Sequence, residues 1–561
     1  MTKMLLMLLL LATTASQVWA VLPATTVAEV RTAGAQTNGG GWDTAGTGVD
    51  MSQYDNKNAA GCSSCYSSSA NLSTTDAVAN GTTTITSATA AFTSDIDGNI
   101  IFLNNQWYRA TYVDATTITV DRPVTTATGL TMNIGGAFKI GGTLDDDWWE
   151  SFEAGNVIWV KNGLYTYGET VTTSKAGSAS NPIRIIGYNS TRGDTPIRTL
   201  ASDNRPVINC GTLTYTSGGN WDLYNMRFFG TSTVVYAQSA ANKFINSQVY
   251  NLSSTADRAA IQTSTDGYIA GSEFVSLRGR AVQLGNAVGI VFASYIHASN
   301  EGVYLAYAQG QTIINNIIED NVLNGINLNA AVIAKTEIIG NTIVGAPTPR
   351  SSSTGIKMAT GVTDIRAINN ILSGWATGVS HADTQSVGVD LNNVYYNNAA
   401  NTNGSGNWAV SSTSITGTDP AFTAYTAISG TGATSTTNVL TAGSGTPFTN
   451  VVDKFDFVYI TCPTSCGTGF AAGMYPISAH DGTTLTLAWE GSAINVTTSG
   501  NGSGISWEII QGHNYAVGTG LKAAGFPTTW LGLTNNYVEP GAAQRQEPVG
   551  GGGTKVYLGG N

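Results

Sequence analysis

Six polar positions stand out in the middle of the chain because they recur at one place in a repeated motif. The motif is a small residue, a β-branched residue, a variable residue and then usually an apolar one, and it begins at residues 260, 281, 302, 325, 355 and 378. Its variable position holds Gln262, Gln283, Tyr304, Asn327, Lys357 and Ser380. In a short strand alternate residues point the same way, so these side chains would share one outward strip. Such a strip suits sugar hydroxyl groups, and we predict that Gln262, Gln283, Asn327 and Ser380 bind substrate.

Two charged residues extend the strip toward catalysis. Arg280 and Glu301 each precede the small residue of the motif, one repeat apart, which would place them about 5 Å from each other in stacked strands. In a polysaccharide lyase, Lys357 would abstract the proton alpha to a uronate carboxylate, with Tyr304 as the acid and Arg280 neutralising that carboxylate. Arg280, Glu301, Tyr304 and Lys357 are therefore the catalytic candidates.

A glycoside hydrolase would use the same strip differently. Glu301 would need a second carboxylate at about 5–9.5 Å, and Asp257, Asp266 and Glu319 are the nearest acids in sequence. Two simpler interpretations stay open, namely an ordinary solvated strand face and an ion pair between Arg280 and Glu301. His297 and His381 occupy positions where apolar residues recur, and we expect them to pack rather than to react.

A second motif runs in phase with the first and indicates the fold. An apolar residue, a spacer and then an Asn or small residue recur about every 23 residues, as in Ile314–Asn316, Ile339–Asn341 and Ile368–Asn370. Short strands of this kind bury their inward faces only by stacking coil on coil. Asn suits the bends because it tolerates the left-handed conformation, and stacked Asn side chains can form a ladder. We therefore predict an all-β fold, a right-handed parallel β-helix. Leucine-rich repeats are the alternative, and they are disfavoured because their leucine spacing and helical segment are missing.

Two segments outside the repeats resemble each other. Residues 79–140 and 425–511 both read as small antiparallel β-modules with alternating strands and Gly or Asp turns. They are either carbohydrate-binding or spacer modules. Between the first module and the repeats, Asp145–Glu153 predicts a short helix that caps the open end of the solenoid, with its acids in the first turn. A calcium site is the alternative for the three adjacent Asp residues.

The predicted organisation follows from these elements. It comprises a signal peptide at 1–20, an extended region at 21–78, a β-module at 79–140, the β-helix at 141–424, an inserted second module at 425–511, and a closing segment with a C-terminal tail at 512–561. The signal peptide rests on Lys3, the apolar run after it and the small residues ending at Ala20. It predicts a secreted, extracellular or cell-surface protein without a membrane span after processing.

The amino-acid composition limits the classes of binding partner that are expected. Only 11% of the 561 residues are charged, against about 25% in average soluble proteins, and the net charge is −11. Without clusters of Lys or Arg, a nucleic-acid partner is not expected. The cysteines predict loop-closing disulfides, Cys62 with Cys65 and Cys462 with Cys466, and a buried free thiol at Cys210. No cofactor or metal is predicted, and calcium is left open without a clear site.

The coils from 156 to 412 resemble the pectin-lyase-like right-handed β-helix superfamily. Asn181–Tyr188, after Val157–Tyr165, is similar to the opening coils of its secreted bacterial and phage-associated members, and Asp419–Phe422 resembles their closing segment. The resemblance implies polysaccharide lyases, glycoside hydrolases, phage tailspikes or adhesins. Of the polygalacturonase-like motifs only Gly355–Lys357 is present, and the Arg-x-Pro context of pectate-lyase-like members is missing.

Two hypotheses follow from the sequence and the resemblance together. The first is a secreted or surface-displayed β-helix protein that binds polysaccharide along an outward sheet face, with cleavage as lyase or hydrolase left open. The second is a non-catalytic tailspike-like protein, adhesin or extracellular filament protein. The expected partner is a polysaccharide or cell-surface glycan, and self-association into a homo-oligomer or filament is left open.

Overall fold

The computed structural model describes residues 27–38 and 72–510 with short gaps, and two short strands, Thr529–Trp530 and Leu533–Thr534. The gaps are 93–95, 97–99, 150–151, 153, 174, 191–193, 195, 197–202, 238–241, 254–257, 264–265, 286–287, 307–309, 330–334, 347, 383–387, 405–407, 409, 421–427, 455, 463–465, 467–469 and 497–500. The predicted signal peptide and the Cys62/Cys65 pair lie outside the described residues. The described residues fall into two compact units. The boundary lies near residue 208, except that residues 170–175 belong to the second unit.

The first unit contains a closed antiparallel barrel. Its strands, in the order in which they pair around the barrel, are Leu72–Ala79, Thr84–Thr86, Thr117–Val120, Gln106–Asp114, Ile100–Leu103 and Ala127–Ile134. Alternate residues point inward, so Ile85, Ile101, Ile118 and Met132 form a fully buried core. This barrel is the first of the two predicted β-modules.

The first unit also holds the short helix, Asp145–Trp149, and the first parallel strands. Val27–Val30, Val157–Lys161 and Ile183–Tyr188 pair in parallel, with Leu164–Thr166 following the second of them. The Asp145 carboxylate accepts hydrogen bonds from the backbone N–H groups of Gly141, Gly142 and Gly168. It therefore holds the chain around the start of the helix, while the Trp148 ring stacks on Phe138 at 4.2 Å.

The second unit contains a parallel β-helix built from three sheets, here named A, B and C. Sheet A comprises Trp221–Tyr224, Asn242–Ile245, Gly267–Ala270, Ile290–Phe292, Thr312–Ile314, Thr336–Ile339, Ile365–Ile368 and Gly388–Leu391. Sheet B comprises Val171–Thr172, Tyr215–Ser217, Val235–Ala237, Ala259–Thr263, Arg280–Leu284, Glu301–Leu305, Asn324–Leu328, Thr354–Met358, Thr377–His381 and Ala400–Gly404. Sheet C comprises Val207–Gly211, Arg227–Gly230, Gln248–Asn251, Glu273–Ser276, Tyr295–His297, Ile317–Glu319, Thr342–Val344, Ile371–Ser373, Val394–Tyr396 and Ile415–Thr416. The predicted all-β solenoid is confirmed.

Each bend after a sheet A strand contains two neighbouring positions, and each position performs one of the two roles expected of Asn. The first residue of each bend takes the left-handed conformation, for example Asn315 with φ 54° and Asn369 with φ 56°. The second residue builds a buried ladder, in which Asn341 Nδ2 donates to Asn370 Oδ1 at 3.0 Å and Asn370 Nδ2 donates to Asn393 Oδ1 at 3.0 Å. Earlier coils have Ser247, Ser272 and Ser294 at the ladder position. The ladder thus satisfies backbone groups that would otherwise be buried without partners.

The second module has the same topology as the first. Its strands pair in the order Ile428–Thr436, Val439–Thr441, Thr484–Trp489, Gly473–His480, Phe457–Thr461 and Asn501–Ile510, and the last pairs again with the first. A short strand, Ser492–Ala493, pairs with Thr484–Trp489. The identical cyclic order explains the similarity between the two sequence segments. Cys462 and Cys466 form a disulfide with Cα atoms 5.8 Å apart, in a loop that the first module replaces with a two-residue turn.

The second module is attached to the outer face of sheet C. The ring of Trp489 lies 4.1 Å from that of Tyr250, and Phe457 lies 5.3 Å from His297. Arginines of the β-helix add polar contacts, since Arg227 pairs with Glu490 and Arg350 Nη2 lies 3.3 Å from Glu508 Oε2. Aromatic contacts and ion pairs therefore hold the second module against the β-helix.

Two further observations concern residues singled out in the sequence. Cys210 is a buried free thiol on sheet C, and burial raises the pKa of that thiol. Among the residues that the structure describes, no helix has the length and apolar character needed to cross a membrane.

Candidate functional site

The register of sheet B brings the six predicted strip residues into one column. Gln262 is paired with Gln283, Gln283 with Tyr304, and Tyr304 with Asn327. The column continues through Lys357 to Ser380. Parallel strands lie about 4.8 Å apart, so the column is about 24 Å long. The residues on either side of this column in each strand, such as Val282 and Leu284, are buried.

A second column runs beside the first and contains the predicted charges. Arg280, Glu301 and Asn324 are paired in successive strands. Arg280 Nε lies 3.3 Å from Glu301 Oε2, and Asn324 Nδ2 donates to Glu301 Oε1 at 2.8 Å. Asn327, from the first column, also donates to Glu301 Oε1. The Glu301 carboxylate thus accepts hydrogen bonds from one guanidinium and two side-chain amides.

Tyr304 lies beneath Arg280 rather than at the surface. The guanidinium carbon of Arg280 is 3.5 Å from the centre of the Tyr304 ring, a cation–π contact. Arg280 Nη1 donates to Gln283 Oε1 at 3.0 Å, and Asn329 Nδ2 donates to the Tyr304 hydroxyl at 2.6 Å. With 7% of its surface exposed, Tyr304 supports the site from below and offers little contact area to a ligand.

The strip therefore has a rigid centre and more accessible ends. Asn327 is buried, whereas Gln262, Gln283 and Ser380 are partly exposed. Lys357, the last residue of the column before Ser380, is exposed. A ligand following the strip would meet amide groups first, then the edge of the Arg280 guanidinium, and then the Lys357 ammonium group. Such groups donate and accept hydrogen bonds in the manner that sugar hydroxyls require.

Of the three acids considered as partners of Glu301, the two that the structure describes lie in different places. Asp257 lies outside the described residues, and Asp266 is exposed just before the sheet A strand Gly267–Ala270. Glu319 is buried on sheet C, where its Oε1 accepts from the Tyr295 hydroxyl. Neither described acid lies on sheet B beside Glu301, and its polar partners there are Arg280, Asn324 and Asn327.

Two residues of the site escaped the sequence analysis. Asn324 occupies the same repeat position as Arg280 and Glu301, so extending that column by one repeat would have found it. Asn329 follows the end of its strand and carries no repeat signal. Its contact with Tyr304 depends on the local course of the chain after the strand.

We expect Glu301→Gln to destabilise the protein by about 1–2 kcal/mol, because Arg280 would lose its ionic partner and one carboxylate oxygen would become a donor facing other donors. The measurement is the midpoint of thermal or denaturant unfolding. Asp266→Asn is the matched control, since Asp266 is exposed and away from the strip. Equal midpoints for the two variants would contradict the described network.

A second polar group lies under the second module on sheet C. Glu273 accepts from Gln248 Nε2 at 2.8 Å and from the Tyr250 hydroxyl, and its Oε1 lies 2.9 Å from His297 Nε2. All of these side chains are buried. His297 therefore packs within the docking surface, and His381 is likewise buried at the end of a sheet B strand. This group joins the module to the β-helix and is closed to a large substrate.

Two acids beside this group are also buried. Glu319 and Asp320 follow each other at the end of a sheet C strand, and both are about 1% exposed. Burial raises the pKa of Asp320 to about 7, with Arg350 acting against the rise and Glu508 adding to it. Burial and the nearby Asp320 charge also raise the pKa of Glu319. In the described part of the chain, no group of three or more His, Cys, Asp or Glu side chains is arranged to hold a metal ion.

Comparisons with known proteins agree with this architecture. Residues 212–372 match the family model described as "Right handed beta helix region". Together with the three parallel sheets, the match identifies the solenoid as a right-handed parallel β-helix, as the resemblance implied. No curated protein sequence matches the chain.

Solved structures that resemble the chain include a phage protein and two epimerases. The tailspike protein of E. coli bacteriophage HK620, in complex with a pentasaccharide, shares 10% identity over 67% of this chain and 84% of its own, with a TM-score of 0.35. The A-module of Azotobacter vinelandii mannuronan C-5 epimerase AlgE6 shares 11% identity over 47% of this chain and 91% of its own, with a TM-score of 0.29. A variant of the periplasmic alginate epimerase AlgG shares 12% identity over 46% and 71%, with a TM-score of 0.25.

Proposed function

We propose that the chain binds polysaccharide along the outer face of sheet B. The observation that carries the proposal is the in-register column from Gln262 to Ser380, with the Arg280–Glu301 pair beside it. A linear array of amides and cations can follow an extended sugar chain over several residues. Hydrogen bonds from the second column fix Gln283 and Asn327 in advance, which lowers the entropy that these side chains lose on binding.

Binding without cleavage is the form of this function that the geometry supports best. The Glu301 carboxylate is engaged by three donors of the chain itself, so its oxygens are turned toward the protein and not toward a ligand. Tyr304 is covered by Arg280, and two strand steps, about 9.6 Å between Cα atoms, separate it from Lys357. A lyase would need the acid and the base close to one sugar residue. The proposed function is therefore glycan binding outside the cell. The location is supported by the predicted signal peptide at residues 1–20.

The proposal is tested with a panel of uronate-containing and neutral polysaccharides. The full chain is titrated with each one, and the release of reducing ends and of unsaturated ends is followed in parallel. We expect saturable binding to at least one polysaccharide, without release of either kind of end. Absence of binding across the panel would overturn the proposal and favour the alternative of a filament or structural protein. Release of either end would show that the strip is catalytic.

Two variants locate the binding on the strip. Gln283→Ala and Lys357→Ala should each weaken binding about tenfold, because each removes interactions of about 1.4 kcal/mol with the ligand. Lys335→Ala is the matched control, since Lys335 is also exposed but precedes the sheet A strand Thr336–Ile339. Affinity is measured by titration calorimetry with the best polysaccharide of the panel. If Lys335→Ala weakens binding as much as Lys357→Ala, the ligand does not follow sheet B.

A further inference from the structure

The outer face of sheet A carries an apolar column that the proposed glycan site does not use. Successive strands pair a series of mainly aliphatic residues in register: Ile245, Ala270, Phe292, Ile314, Ile339 and Ile368. The preceding residue of each strand, such as Val291 or Ile313, is buried in the interior, so this column points outward. Phe292, Ile314 and Ile368 are partly exposed, and Leu391, next in the column, exposes 38% of its surface. Solvated sheet faces usually carry polar residues at such positions.

A second column on the same face has charges only toward its ends. Its centre is Ile290, and Lys243 and Glu337 lie two strands before and two strands after it. Asp222 and Arg366 lie one strand further out on each side. An acid–base pair therefore occurs at both ends, with Asp222 and Arg366 in the outer positions and Lys243 and Glu337 in the inner ones.

We infer that this face of sheet A is an interface between two copies of the chain, related by a twofold axis parallel to the strands and passing over Ile290–Phe292. Such an axis keeps each column opposite its own counterpart while reversing the order of the strands. Phe292 then meets Phe292 of the second copy. Lys243 lies opposite Glu337 of the second copy, so each exposed inner charge meets one of opposite sign. Asp222, opposite Arg366, has only 2% of its side chain exposed and stays in its ion pair with Lys243. Among axes parallel to the strands, only this one places both inner charges, Lys243 and Glu337, opposite charges of the other sign, and this self-complementarity favours a second copy as the occupant.

The inner charges are available for such contacts. The side chain of Lys243 is 44% exposed and that of Glu337 is 39% exposed. Within the chain, Lys243 Nζ lies 3.3 Å from Asp222 Oδ2, and Arg366 Nη1 lies 3.9 Å from Glu337 Oε1. A second copy would add an opposite charge to each pair without breaking it.

The size of the face sets the expected strength. Seven strands and two columns define a band of about 35 by 15 Å, or roughly 500 Å² on each copy. The pair would bury roughly 1,000 Å² in total, at the lower end for a specific interface. We therefore expect a reversible dimer with a dissociation constant in the micromolar range.

Sedimentation of the full chain over about 1–100 μM tests the dimer. The unaltered chain should pass from monomer to dimer, and Phe292→Arg should raise the dissociation constant by about 30-fold or more by placing two cations on the axis. Leu323→Arg is the control, since Leu323 is 43% exposed but lies outside sheet A, and it should dimerise normally. Lys243→Glu should weaken the dimer, and adding Glu337→Lys should restore it. A monomer at every concentration, or equal dimerisation of Phe292→Arg and the unaltered chain, would overturn the inference.

A cross-linking experiment tests the position of the axis even if Phe292→Arg does not fold. Facing sheets lie about 10 Å apart, so Ile290→Cys on the axis should be joined to its counterpart by a bismaleimide of about that length. Arg366→Cys is more exposed, but its counterpart would lie about 29 Å away, six strand spacings along the sheet. Ile290→Cys should therefore cross-link and Arg366→Cys should not. Equal cross-linking of the two, or of Arg366→Cys alone, would overturn the proposed axis.

Discussion

Replacing Asn370 with Ala should lower the free energy of unfolding by about 2–4 kcal/mol, the largest effect that we expect of a single substitution in the β-helix. Asn370 Oδ1 accepts from the backbone N–H of Asn341 at 2.8 Å, and Asn370 Nδ2 donates to the Ile338 carbonyl at 2.8 Å. Asn370 and Asn341 are both fully buried. Without the amide, the Asn341 N–H loses its partner away from water, and a small cavity adds to the cost.

The matched control is Asn403→Ala, the same chemical change at an exposed position at the end of sheet B. The thermal midpoint of Asn370→Ala should fall by several degrees, while that of Asn403→Ala stays within about a degree of the unaltered protein. Equal midpoints would show that the Asn ladder does not stabilise the coils. If hydrogen exchange shows that amide protection falls only in the coils near Asn370, the stability of the solenoid is local.

Replacing Asp320 with Asn should stabilise the protein above neutral pH by about 2–4 kcal/mol. Burial raises the pKa of Asp320 from 3.8 to about 7, so between these values the folded state holds a proton that the unfolded state has lost. The folded state then loses stability as the pH rises from about 4 to about 7, and the loss persists above pH 7. Asn cannot ionise, so the variant should lack this part of the pH dependence.

The control for this substitution is Asp364→Asn. Asp364 has the same left-handed backbone as Asp320, with φ 55° against 50°, but it is exposed. Unfolding midpoints are measured between pH 4 and pH 8. Asp320→Asn should match the unaltered protein near pH 4 and exceed it at pH 8, whereas Asp364→Asn should match it throughout. A variant that is less stable than the unaltered protein at pH 8 would show that the Asp320 charge is favourable, through Arg350.

The β-helix could be predicted from the sequence because its interactions are local and repeated. Each coil places the same residue types at the same steps, so the column from Gln262 to Ser380 and the neighbours Arg280 and Glu301 follow from spacing alone. The bend was predicted as a single Asn position, and the structure divides it into the left-handed Asn369 and the ladder residue Asn370. The similarity of the two modules likewise follows from local strand patterns.

The docking of the second module could not be predicted in this way. It depends on Arg227, Arg278 and Arg350, which are far apart in sequence and follow no shared motif, meeting Glu490, Tyr475 and Glu508. The burial of Tyr304 was also missed, because it results from the Arg280 side chain lying over the ring and not from the repeat. Both features arise from pairs of side chains that only the folded chain brings together.

The most direct test of the proposed glycan site is lysine acetylation of the full chain, read by mass spectrometry with and without a polysaccharide that it binds. Lys357 lies on the strip, whereas Lys335 is also exposed but precedes a sheet A strand, and Lys243 lies on sheet A. Bound polysaccharide should slow the acetylation of Lys357 and leave that of Lys335 and Lys243 unchanged. An unchanged rate at Lys357 under saturating polysaccharide would contradict the proposal that the chain binds its ligand along sheet B.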